Sequence, residues 1–102
     1  ACMENRKKKE IIIDLAGIEY LYPFYKLLIQ KLQLPIITGL NPDALSDFLR
    51  EPWEEDRYVR FVGVSKINTD IRTELSIIEK MFNRVKTFQA KCGNEFTWSE
   101  EA

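Results

Sequence analysis

The chain contains no histidine. That removes the commonest general base, every His-based catalytic triad and the His-containing metal sites. Its two cysteines, Cys2 and Cys92, stand at opposite ends of the sequence and make neither a CxxC redox pair nor a zinc ribbon. Four glycines, Gly17, Gly39, Gly63 and Gly93, are scattered singly, so there is no glycine-rich phosphate loop. The opening apolar run, Ile11 to Ile13, has three residues, against the ~20 that span a bilayer. A net charge of −1 gives no basic excess to recommend nucleic acid. These absences argue against an enzyme, a metal or other cofactor, and a direct nucleic-acid or membrane partner. Paired carboxylates are the one acid–base chemistry left.

What is present suits one domain. A chain of 102 residues with 45% hydrophobic and 30% charged residues can bury a core of its own without disulfides or metal. The expected layout is a flexible tail over 1–8, a single domain over 9–98 and a short tail over 99–102. Ala1 and Cys2 precede Met3 and read as additions from expression, so Cys2 carries little weight. Neither the Arg6–Lys9 start nor the short Ile run makes a signal sequence, which predicts a reduced, cytoplasmic protein. The basic start itself reads as a solvated terminus, and Arg84, Lys86 and Lys91 as the wet side of a helix without interleaved aromatics.

Charge is distributed unevenly. Residues 41–56 hold six acids (Asp43, Asp47, Glu51, Glu54, Glu55, Asp56) against Arg50, a local −5. Residues 72–91 hold five bases against Glu74 and Glu79, a local +3. An acidic patch of this kind attracts a basic partner and steers its approach.

Patterning predicts strands and helices in alternation. Lys9–Leu15 reads as a buried β-branched strand. A helix begins at Pro23, with Phe24, Leu27, Leu28 and Leu32 on its apolar face, and ends at Gln33–Leu34 before Pro35. Residues 36–40 form a loop with Gly39 as its flexible point. Asn41 as cap and Pro42 at the first position begin a second helix. Its apolar stripe is Leu45, Phe48 and Leu49, leaving Asp43, Ser46, Asp47 and Arg50 to water. Residues 57–64 form another strand. A long helix, capped by Asn68, Thr69 or Asp70, buries Ile71, Leu75, Ile78, Phe82, Val85 and Phe88 or Gln89, and stops at Cys92–Asn94 with Gly93 or Asn94 as the left-handed cap. Glu95–Trp98 closes the chain as a strand. The fold class is α/β, a small three-stranded parallel sheet packed by helices.

The segment from Leu34 to Glu51, LPIITGLNPDALSDFLRE, carries a resemblance. Its Leu34, Pro35, Gly39, Asn41, Asp43, Ala44, Leu45, Asp47 and Leu49 resemble the inhibitory segment of the barstar family, intracellular inhibitors of secreted ribonucleases. The likeness extends more loosely over residues 9–98, through the opening strand, the late helix, Cys92 and the closing strand. It implies the three-stranded parallel sheet and a bacterial, cytoplasmic immunity protein. Such a protein, a monomer when free, neutralises a ribonuclease toxin in a one-to-one complex by plugging its basic active site.

On that resemblance Asp47 is the principal mimic of an RNA phosphate and Asp43 its supporting acid. Gly39 lets the backbone approach the partner, and Asn41 caps the helix. The family's loop aromatics are replaced by Ile37 and Thr38, and the tryptophan before its second acid by Ser46. Trp53, among acids in the connection after Pro52, is an aromatic anchor candidate, and it matches a family tryptophan if one residue is inserted. The acid of the family's late helix falls near Arg84, with Glu79 able to substitute from one turn earlier. These replacements imply a ribonuclease other than barnase, or alternatively a regulatory or adaptor module that turns the same acidic face to a basic protein that is not a nuclease.

Overall fold

A computed structural model describes residues 8–102; residues 1–7 of the tail expected over 1–8 lie outside the described residues, and Lys8, the last of that tail, opens the first strand instead. Three strands, β1 (Lys8–Asp14), β2 (Asp56–Val62) and β3 (Phe96–Glu100), form one sheet in the order β1-β2-β3. All pairs are parallel, Ile12 opposite Arg60 and Arg60 opposite Ser99. Helices α1 (Leu21–Lys31), α2 (Pro42–Leu49) and α3 (Thr69–Lys91) lie between the strands in sequence, with a short 3-10 turn at Val64–Lys66. The fold is therefore the α/β arrangement that the pattern predicts.

Among the described residues, only one face of the sheet is covered by helices. Ile11, Ile13, Leu15, Val59, Phe61 and Phe96 are buried under the helices together with Phe24, Leu28, Leu75, Ile78 and Phe82. Ile12, between two buried isoleucines, is 45% exposed. This corrects the reading of Lys9–Leu15 as a wholly buried strand. Parallel sheets usually have helices on both sides, and here polar side chains take that place. The Arg60 guanidinium donates to both Glu101 carboxylate oxygens at 2.8 and 2.7 Å and lies 3.5 Å from Glu10, while the Tyr58 and Ser99 hydroxyls meet at 2.8 Å.

The last strand runs further than Trp98. The Glu101 N–H donates to the Phe61 carbonyl at 2.7 Å, and the Val64 N–H donates to the Glu101 carbonyl at 3.0 Å. Residues 99–101 thus extend the sheet instead of forming the expected tail.

The helices end by local rules. Asn68 caps α3, its side-chain oxygen accepting from the Ile71 N–H at 2.9 Å. At the other end Gly93, at φ 85°, takes the left-handed position, with the Asn94 N–H reaching the Gln89 carbonyl at 2.8 Å, the geometry of a Schellman motif. Helix α1 ends in the same motif: the Leu34 N–H reaches Ile29 at 2.9 Å and Gln33 reaches Gln30 at 3.2 Å. There the left-handed residue is Gln33, at φ 57°. Its start also differs from expectation, at Leu21 instead of Pro23.

Candidate protein-binding surface

Helix α2 is set by its own first residues. Asn41 is extended, its side-chain oxygen accepts from the Ala44 N–H at 2.8 Å, and Pro42 follows at the first helical position. Gly39 serves this cap by close approach: a Cβ there would stand 3.1 Å from both the Ala44 Cβ and the Asn41 side-chain nitrogen. Thr38 is 5% exposed and its hydroxyl donates to the Pro35 carbonyl, which folds the loop back on itself. The adjacent Ile36 and Ile37 point outward, 83% and 84% exposed.

The helix is rolled relative to the expected stripe. Leu45, Ser46 and Leu49 are buried, whereas Phe48 is half-buried. Ser46 is therefore a packing residue and not part of the wet face. Asp43 and Asp47, four residues apart, are both exposed. Asp47 is not alone: an Arg50 guanidinium nitrogen stands 3.4 Å from its carboxylate.

A buried amide fixes the far end of α2. Gln89, fully buried on α3, donates through its side-chain nitrogen to the Leu49 carbonyl at 2.9 Å and the Glu51 carbonyl at 2.7 Å. Its side-chain oxygen accepts from Asn94 at 2.9 Å and from the Trp53 N–H at 3.4 Å. The carbonyls that a helix end leaves without partners are thus met from the neighbouring helix. Of the two candidates for this position, Phe88 is half-buried and Gln89 is inside.

Trp53 is half-buried. Its ring meets Phe96 edge-on at 5.2 Å and carries the Arg57 guanidinium 4.1 Å above it. With Phe48, Pro35, Pro52 and Glu54 it lines a cleft of about 600 Å³ between the end of α1 and the end of α2. It is both attached to the core and accessible from outside.

Glu79 stands apart from this surface. Its carboxyl hydrogen-bonds Glu100 at the end of β3, whose two oxygens accept from one Arg72 nitrogen at 3.0 and 3.1 Å. Burial, reinforced by the Glu100 hydrogen bond and charge, pushes the Glu79 carboxyl up to about 7. Burial also works to raise Glu100, but its hydrogen bonds with Glu79 and Arg72 outweigh this and hold it below the ordinary carboxylate value. The late-helix acid beside α2 is instead Glu74, about 140° away from Glu79 around α3 by the helical period. Glu74 lines a cleft with Asn41 and Pro42 and accepts from the Tyr25 hydroxyl. Burial, and then Glu74, raises that phenol well above its ordinary value. Arg84 is exposed.

The structure therefore brings Ile37, Gly39, Asn41, Asp43 and Asp47 to one loop and helix, with Trp53 at its far end. Thr38 and Ser46 lie beneath, and Glu79 is engaged elsewhere. Sequence reasoning missed the Asp47–Arg50 pair, although the i, i+3 spacing signals it; it also missed the position of Glu74 and the hydrogen bonds of Gln89, whose burial the helical spacing leaves open against Phe88. Among the described residues no helix is long and apolar enough to cross a membrane.

A family model described as Barstar (barnase inhibitor) matches residues 8–99. The chain belongs to the barstar family. That match covers all three strands and all three helices, save the last residue of β3. A family of ribonuclease inhibitors fits a surface that offers charge and contact area. No curated protein matches the chain significantly.

Proposed function

We propose that this protein inhibits a ribonuclease by presenting α2 and its preceding loop to the enzyme's basic active site. The observation that carries the reading is the outward display of Asp43 and Asp47 on a helix anchored at both ends, in a chain of the barstar family. A ribonuclease holds RNA phosphates with arginine and lysine, and a carboxylate on a rigid helix offers guanidinium groups planar bidentate acceptance. The Arg50 guanidinium, with one nitrogen 3.4 Å from one Asp47 oxygen, supports the reading that a cation can reach this carboxylate. Complex formation is one-to-one and protects the cytoplasm of the cell that makes or receives the toxin.

The test is titration of the protein into ribonuclease assays with a panel of small basic secreted ribonucleases, barnase among them. Inhibition of at least one enzyme at a stoichiometry of one is expected. Replacing Asp47 by Ala is expected to cost about 2–5 kcal/mol of binding, much of it from basic groups left unpaired in the enzyme. Equal inhibition by the Asp47→Ala variant ends the active-site reading.

A further inference from the structure

The most exposed large hydrophobic side chains are gathered in one region. Tyr20, Leu21, Tyr22, Ile36, Ile37 and Leu40 belong to the start of α1 and the loop before α2, and among the described residues only Ile12 and Ile77 stand elsewhere. Tyr22 joins the two segments. It shares a groove of about 670 Å³ with Ile18, Leu27, Leu34 and Ile36, and a smaller cleft of about 280 Å³ with Leu21, Leu40, Asn41 and Pro42. The last two residues cap and begin α2, so the apolar surface starts where the acidic helix starts. Its ring lies under the Lys26 ammonium at 5.8 Å, and Lys26 is the one charged residue lining the groove.

We propose that this α1 groove is a second part of the docking surface and receives an apolar side chain from the border of the same ribonuclease's basic cleft. The proposal rests on the ribonuclease reading above. Area is the first argument. A stable interface takes about 800 Å² from each partner, whereas a helix of eight residues is about 12 Å long and about 10 Å wide. An enzyme seated on α2 must spread over its neighbours, and the groove is the neighbour at its N-terminal end. Charge is the second. The acids lie on α2, in the connection after it and, as Glu74, in the smaller cleft at its start, while the groove itself holds no acid and one lysine. The enzyme's cations therefore belong over α2, and the surface that fits the groove is uncharged and apolar. Contiguous exposed apolar area of this kind marks recognition surfaces. Its contribution does not fade with salt, unlike that of the aspartates.

The experiment compares a double variant, Ile36→Ser with Tyr22→Ser, against Asp47→Ala, using catalytically inactive forms of the ribonucleases in the panel and measuring association and dissociation at low and high salt. Both groove residues are more than half exposed, Tyr22 by 64%, so the double variant is expected to keep its unfolding midpoint. Dissociation at least tenfold faster, with an unchanged salt dependence of association, supports the proposal, whereas Asp47→Ala flattens that salt dependence. Should the double variant bind like the parent while Asp47→Ala is weakened, the groove proposal falls and the ribonuclease reading stands. The reverse pattern overturns the active-site reading and leaves the groove as the docking surface. If no ribonuclease binds the parent chain, both fall. If the unbound protein sediments as a dimer that the double variant abolishes, the groove is a self-association face and the proposal is overturned.

Discussion

Asp47 and Arg50 compete with any partner for each other. Their pair is exposed, with Asp47 at 74% and Arg50 at 47%, and such pairs contribute about 0–1 kcal/mol to folding. Removing the arginine therefore costs little stability and makes the acidic patch more negative. The Arg50→Ala variant is expected to associate with a basic ribonuclease about two- to threefold faster at low salt, a difference that vanishes in stopped-flow measurements at high salt. Gln33 offers a second residue-scale test. It occupies the left-handed position that ends α1, a conformation costly for a side chain with a Cβ. Gln33→Gly is expected to raise stability by about 0.5–1 kcal/mol in urea unfolding. The sequence marks this helix end through Pro35, but with no glycine there it does not show the left-handed turn at Gln33, whereas Gly93 marks the end of α3.

Among the elements, α2 is the one on which the proposed function rests, and it is held from outside. Gln89→Leu keeps the side chain's bulk but leaves the Leu49 and Glu51 carbonyls without their donor. An expected loss of about 2–3 kcal/mol is read by urea unfolding, accompanied by weaker inhibition as the helix end loosens. The start of α2 was legible because cap, proline and dipole-facing acid are consecutive residues. Its roll was not. Eight residues make barely two turns, so Phe48 and Ser46 compete for the inner position, and packing against α3 chooses the smaller side chain. Strand β1 hid its alternation for a related reason. Three isoleucines in a row read as burial on both sides, and only the helices' placement on one side sets Ile12 outward. Gln89 lay at the correct helical spacing, but a polar side chain gives no sign of its burial until its carbonyl partners are known.

At the scale of the whole molecule, the Glu79–Glu100–Arg72 cluster ties the end of β3 to α3 and makes stability depend on pH. Glu79 titrates at about 7 against an ordinary 4.5. Between those values the folded chain holds a proton that the unfolded chain has released, so this contribution is complete below 4.5 and lost as pH rises through 7. Glu100 acts oppositely: its value is lowered, so its contribution is present above 4.5 and fades as pH falls below it. Thermal unfolding followed from pH 4 to 8 is expected to lose stability on the alkaline side of this window, and Glu79→Gln to flatten that decline. Because Glu79 is partly exposed, the slope is shallow. Binding to a ribonuclease is expected to be unaffected by Glu79→Gln.

The uncovered side of the sheet has a practical consequence. Its outward positions, such as Thr97 and Ser99, belong to a layer that shares no side chain with α2 or the α1 groove. A cysteine placed at position 97, on the face away from the buried core residues of β3, gives an attachment point for a dye or a solid support that does not replace any residue of the proposed docking surface.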